Sequence, residues 1–233
     1  MRKLDIEIAI AEGFRTILSK PAVLFPSFIS SFLFAYLFYI SMKLKIKPES
    51  EIEPDEAILF LKICMFVILI AVYFDSVTVR IAYTRSSVLR AFGFALKKYV
   101  IVLIALLIYL LIVIVGSLAF LVPGIYLAVR LYYFINAILI DERGAIESLK
   151  TSWKIAKGNW WATFLILLII GIFSFLINML LSSALAIVLL GRYRSYVYIA
   201  QTPIATVLRA WSYSSFVQAY LMLRDREANH ALS

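Results

Sequence analysis

The chain has one cysteine, Cys64, and one histidine, His230, in 233 residues. A single cysteine excludes an intrachain disulfide, and within an apolar run Cys64 reads as a small buried hydrophobe. A single histidine, in a polar C-terminal tail, leaves no material for a histidine-built metal site or a Ser-His-Asp triad. No Gly-x-Ser-x-Gly stretch occurs, and Asp75 is the one acid inside an apolar run. An intramembrane enzyme therefore lacks its constellation, so no catalytic residue, metal or cofactor is expected. Met1–Lys20 carries Asp5, Glu7, Glu12, Arg15 and Lys20, which does not fit a signal peptide.

What the chain has is apolar surface. Hydrophobic residues make up 64%, with mean hydropathy +0.95, whereas soluble domains hold about 45–50%. The excess is grouped in blocks, and blocks of about 20 apolar residues read as membrane-crossing helices. The expected fold is an all-α polytopic membrane bundle, one integral domain over residues 1–233. Net charge is +9, but no nucleic-acid reader motif is present. Anionic lipid headgroups are the expected partners, with a membrane or cytoplasmic protein as a further one, and nucleic acid is not. Low Cys, His and Gln with abundant Ile also suggests a thermophile.

Six spans are expected: Pro21–Met42, Ala57–Tyr83, Tyr99–Val122, Pro123–Ile140, Trp160 to about Leu180, and Tyr196–Leu223. The third and fourth meet at Val122-Pro123-Gly124 with no polar loop, which predicts a tight hairpin. As one helix, the 42 residues Tyr99–Ile140 would extend about 63 Å, twice a bilayer core. The fifth apolar stretch continues to Leu190, so Gly171, Asn178 and Ser182-Ser183 are expected to bend or break it. Beyond Asn178 the chain is expected to follow the outer interface or form a re-entrant piece.

Loop charge sets orientation. One side receives 14 Lys and Arg and the other 5, which places both termini in the cytoplasm of a multi-pass cell-membrane protein. The outer loop Lys43–Glu56 collects Glu49, Glu51, Glu53, Asp55 and Glu56 without EF-hand spacing and reads as solvated.

Three basic segments on the cytoplasmic side have helical amphipathic patterns and are expected to lie in the interface. In Leu4–Lys20 the apolar face is Ile10, Phe14 and Ile17; in Ser86–Lys98 it is Val88, Phe92 and Ala95; in Arg143–Lys157 it is Ile146, Leu149, Trp153 and Ala156. Phe14, Phe92 and Trp153 each precede the next span by seven positions, which suggests a threefold repeat of one interfacial helix and two spans. Such helices serve as struts, or as docking surfaces for a partner or lipid. Trp153, Trp160 and Trp161 are the expected interfacial anchors.

The candidate site residues are the polar groups in apolar runs: Asp75, Arg80, Arg130, Asn178, Gln201 and Arg209. A guanidinium at the bilayer centre costs roughly 2.5–3.5 kcal/mol on insertion scales, so each must find a counterpart. Arg80, near Arg85, is expected to snorkel to headgroups. One arginine should pair with Asp75, and Gln201 or Asn178 should satisfy the other. Alternatively, the surplus positive charge holds an anion such as a lipid phosphate or a carboxylate. Pro203 is expected to kink the sixth span.

Pro123-Gly124, Val129-Arg130, Asp141-Glu142 and Ser152-Trp153 before Gly158-Asn159-Trp160, with Gly13-Phe14 and Lys20-Pro21, form a pattern. It resembles a superfamily of six-span membrane domains that includes the membrane domain found beside some glycerophosphodiester phosphodiesterases and the YciC-like proteins, in an archaeal branch. The resemblance implies a six-helix membrane domain. The phosphodiesterase activity of those relatives lies in a separate soluble barrel and is not carried over. The expected function is non-enzymatic: binding or organising lipids, or supporting a membrane transport assembly. The alternative is a small-solute transporter or permease-like subunit.

Overall fold

The computed structural model describes residues 4–44, 54–84, 87–188 and 196–232. Most of the expected acidic loop, together with Arg85, Arg192 and Arg194, lies outside them. The described residues form an all-α bundle. Five of its helices are long and apolar enough to cross a membrane: Pro21–Ser41, Ala57–Tyr83, Val88–Leu118, Leu121–Ile140 and Trp160–Val188. The chain is a multi-pass membrane protein by that measure.

Helix α1 (Ile6–Ser19) is capped by Asp5, whose side chain accepts from the Ile8 N–H at 3.2 Å. Lys20, held out of the helical region by Pro21, ends it, and a single 3-10 turn leads into α2 (Leu24–Leu44). α3 (Pro54–Tyr83) returns. The Lys20 ammonium donates to the Ala82 and Thr84 carbonyls at 2.7 and 3.3 Å, which satisfies the end of α3.

The second amphipathic segment is not a separate helix. Ser86–Lys98 and the third span merge into α4 (Val88–Ala119), 32 residues and about 48 Å. Pro21 and the positive φ of Gly158 stop the chain before the other two spans, but no breaker stands between Lys98 and Tyr99. The threefold repeat therefore loses one of its three breaks.

The reversal after α4 falls at Phe120, in extended backbone, and Pro123-Gly124 sits inside the first turn of α5 (Leu121–Leu131). Gly124 serves close packing. A Cβ there would lie 2.0 Å from Ser117 Oγ and 2.9 Å from its Cα. The fourth span is itself broken at Tyr132-Tyr133, and α6 (Phe134–Ile140) follows with nearly every residue buried.

α7 (Ala145–Ile155) is a separate helix, as expected. α8 (Trp160–Val188) runs unbroken through Gly171, Asn178 and Ser182-Ser183, so the expected break is absent to Val188. The sixth expected span is divided at Gln201 into α9 (Val197–Ala200) and α10 (Thr202–Leu232). Pro203 falls in the first turn of α10, two residues after that division. The backbone of the expected polar tail, His230 included, continues α10.

α10 is not among the five apolar spans because it is the axis of the bundle. It packs against α1, α2 and α3, and Ala210, Ser214, Ser215, Val217 and Ala219 are fully buried. Helices in lipid gain little from burying large apolar groups against each other, so small residues that allow close approach form their contacts. A Cβ on Gly13 of α1 would lie 2.1 Å from Ser215 Oγ and 2.6 Å from Ser215 Cα.

The expected apolar faces of the amphipathic helices are divided, with Ile17, Leu149 and Ala156 in the bundle and the larger side chains on its surface. α1 buries Ala9, Gly13, Thr16 and Ile17, and Phe14 is exposed. α7 buries Ser148, Leu149, Ser152 and Ile155, and leaves Ile146 and Trp153 exposed.

Gly13→Val should therefore lower stability by about 1–3 kcal/mol through overpacking. Gly93→Ala, where nothing lies within 4 Å of the added carbon, should raise it by roughly 0.5–1 kcal/mol. Thermal unfolding followed by circular dichroism in detergent compares the two.

Candidate functional site

Asp75 lies on α3 facing α2 and α10, and only 7% of its surface is exposed. Arg209 of α10 donates Nε to Oδ1 at 2.8 Å and Nη2 to Oδ2 at 2.7 Å. This is the bidentate arrangement that suits a planar guanidinium. Ser30 of α2 donates to the same Oδ1 at 2.9 Å. One step along the seam, the Ser27 and Thr78 hydroxyls are 3.2 Å apart. The Arg209 Cζ also sits 4.8 Å from the Phe34 ring centre and 5.9 Å from that of Tyr213.

Arg209 forms part of the lining of an open cavity of about 890 Å³ between α2, α8, α9 and α10. Its walls are largely apolar, with Phe38, Leu167, Phe175 and Met179 among them. Polar points interrupt them. Gln201 donates to Ser182 Oγ at 2.6 Å, and Asn178 to the Ser174 carbonyl of its own helix at 2.8 Å. Ser31 Oγ is buried on the same lining with no partner among the described residues. The cavity thus gathers Asn178, Gln201 and Arg209, with Asp75 behind the arginine. Neither amide serves an arginine, against expectation.

Arg80, half-buried, has partners on neighbouring helices. Its Nη1 donates to the Leu139 carbonyl of α6 at 2.6 Å, and its Cζ lies 3.7 Å from the Phe94 ring centre.

Arg130 is separate from both. It is 6% exposed and pairs with no carboxylate among the described residues, and its Nε is buried without a partner. Its Cζ lies 4.2 Å from the Trp153 ring centre and 5.7 Å from that of Tyr126. Trp160 stacks on Tyr126 at 5.8 Å and donates Nε1 to the Tyr126 carbonyl at 3.2 Å, while Trp161 is exposed.

Sequence reasoning missed Ser152, the residue that makes the Arg130 region possible. The break at Tyr132-Tyr133 leaves backbone groups unsatisfied. Ser152 Oγ accepts from the Tyr133 N–H and donates to the Arg130 carbonyl, both at 3.0 Å. Also missed was the Asp141 cluster, where Tyr220 donates at 2.6 Å and Arg224 Nη1 at 3.0 Å. For Arg224, partial burial opposes the charge, but hydrogen bonds to Asp141 outweigh it and hold the pKa above its ordinary value. The available signal for Ser152 was small polar residues at i and i+4, Ser148 and Ser152, on a helix read for its large apolar face.

Among known proteins, the profile of the family described as "Domain of unknown function (DUF7847)" matches residues 6–223. No curated protein and no solved structure matches the chain.

Ser152→Ala would strand the buried Tyr133 N–H. It should cost about 1–3 kcal/mol, read as a lower unfolding midpoint in detergent, with Ser148→Ala as the milder comparison.

Proposed function

Taking as premise that the chain belongs to this family of unknown function, we propose that it is a non-enzymatic integral membrane protein that holds an amphiphile, a membrane lipid or a molecule of similar character. The cavity beside Arg209 carries this reading. At about 890 Å³ it falls within the range of roughly 300–1,000 Å³ typical of ligand sites. Apolar walls suit a chain, and Ser31, Asn178 and Gln201 suit a hydrogen-bonding head. Because Asp75 already neutralises Arg209, the cavity favours an uncharged polar head over a free anion. Orientation follows loop charge, with both termini cytoplasmic.

A second reading, a small-solute transporter, draws on the polar row Asn178, Ser182 and Gln201 along one side of the cavity. Thiol labelling of Ala205→Cys in a Cys64→Ser background separates the two. A transporter makes this lining position accessible from each membrane face in turn, and a lipid site does not.

Gly171 borders the cavity, and nothing lies within 4 Å of where its Cβ would stand. Gly171→Phe should fill the space without disturbing the helices. Mass spectrometry of co-purified lipids should then show about a tenfold loss of retained amphiphile, a change of 1.4 kcal/mol in affinity, at an unchanged unfolding midpoint. A wild-type protein with no lipid above the detergent background would sink the reading, as would a variant that retains as much.

A further inference from the structure

Among the described residues, Arg130 is the one arginine of the expected set without an oxygen partner. Arg209 has Asp75 and Arg80 has the Leu139 carbonyl. Arg130 has aromatic faces: Trp153 at 4.2 Å and Tyr126 at 5.7 Å. A ring face stabilises the cation but does not accept the N–H groups along the guanidinium edge. In a residue 6% exposed, with Nε buried and unpartnered, that is an unmet demand for an oxygen acceptor. Planar guanidinium edges match phosphate oxygens two at a time.

The surroundings add charge of the right sign. Lys150 is exposed with Trp153 on α7, and Lys157 is exposed in the turn that follows the helix. Glu147 is the single carboxylate on α7, and Lys154 is tied to Glu227. Trp153, Trp160 and exposed Trp161 gather here, and tryptophan concentrates at headgroup level in membranes.

We propose that Arg130, against the Trp153 ring, binds one phosphate group, either the phosphodiester of a membrane lipid or free phosphate, with Lys150 and Lys157 adding positive charge on the same segment as Trp153. The site does not depend on the cavity beside Arg209.

The test uses full-length protein washed into a phosphate-free sugar detergent. Phosphatidylglycerol and inorganic phosphate are added separately, with native mass spectrometry counting bound lipid and tryptophan fluorescence reporting on Trp153. Wild-type protein should bind one lipid and show a saturable fluorescence change. R130Q should lose at least about tenfold in affinity, R130K should retain part of it, and the cavity variant Gly171→Phe should keep the wild-type fluorescence response and the Arg130-dependent lipid. Saturation of the same change by inorganic phosphate assigns the ligand as phosphate itself, whereas a response to lipid alone assigns the headgroup. The proposal is overturned if neither compound binds wild-type protein, or if R130Q binds equally well. Should R130Q not fold, W153F decides the matter: it keeps Arg130 and must diminish the fluorescence change, the remainder coming from Trp160 and Trp161, and an undiminished change overturns the placement.

Discussion

Taking a carboxylate and a guanidinium out of water costs several kcal/mol per ion, recovered only when geometry is good and the remaining lone pairs are satisfied. Asp75 and Arg209 meet that condition. Two parallel hydrogen bonds of 2.8 and 2.7 Å join them, and Ser30 contributes a third at 2.9 Å. The three groups come from α3, α10 and α2, so one ionic contact sets which helices are neighbours. In hydrocarbon an unpaired partner has no water to turn to, which makes the alternatives to this arrangement poor.

The position of α10 follows from that contact. A helix carrying Thr202, Thr206, Arg209, Ser214 and Ser215 is a poor surface to offer lipid, and here it is the axis, with α1, α2 and α3 around it. Its small residues admit close neighbours, most tightly at Gly13 and Ser215. Large apolar groups such as Leu107, Leu111 and Leu118 are left facing outward. At two departures from regular helix a side chain satisfies the backbone: Ser152 at Tyr133, and Lys20 at the end of α3.

Much of this was legible in the amino-acid order. Apolar blocks gave the helices, Pro21 and Trp160 gave their starts, and a single acid among arginines implied a pair. Which arginine it would be was not legible, because sequence gives depth along a helix and not the direction a residue faces in the assembled bundle. The faces of α1 and α7 were legible in part: Ile17, Leu149 and Ala156 of the expected apolar faces are buried in the bundle, whereas Phe14, Ile146 and Trp153 lie exposed on its surface. In a membrane, Gly13, Ser148 and Ser152 go inside and Phe14 and Ile146 go out. The break at Tyr132-Tyr133 carries no proline or glycine to announce it, and its cause lies twenty residues on, at Ser152. The continuity of α4 was signalled by an absence, the lack of a breaker at Lys98-Tyr99.

The central claim is that the Asp75–Arg209 pair holds the bundle. Its most direct test is a double-mutant cycle on thermal unfolding in a lipid-like detergent, with Asp75→Asn, Arg209→Gln and the two combined. Each single change leaves one buried ion without its counterpart and should cost roughly 3–5 kcal/mol. The combined variant, with both charges gone, should be more stable than either single one. Strict additivity of the two losses would contradict the account.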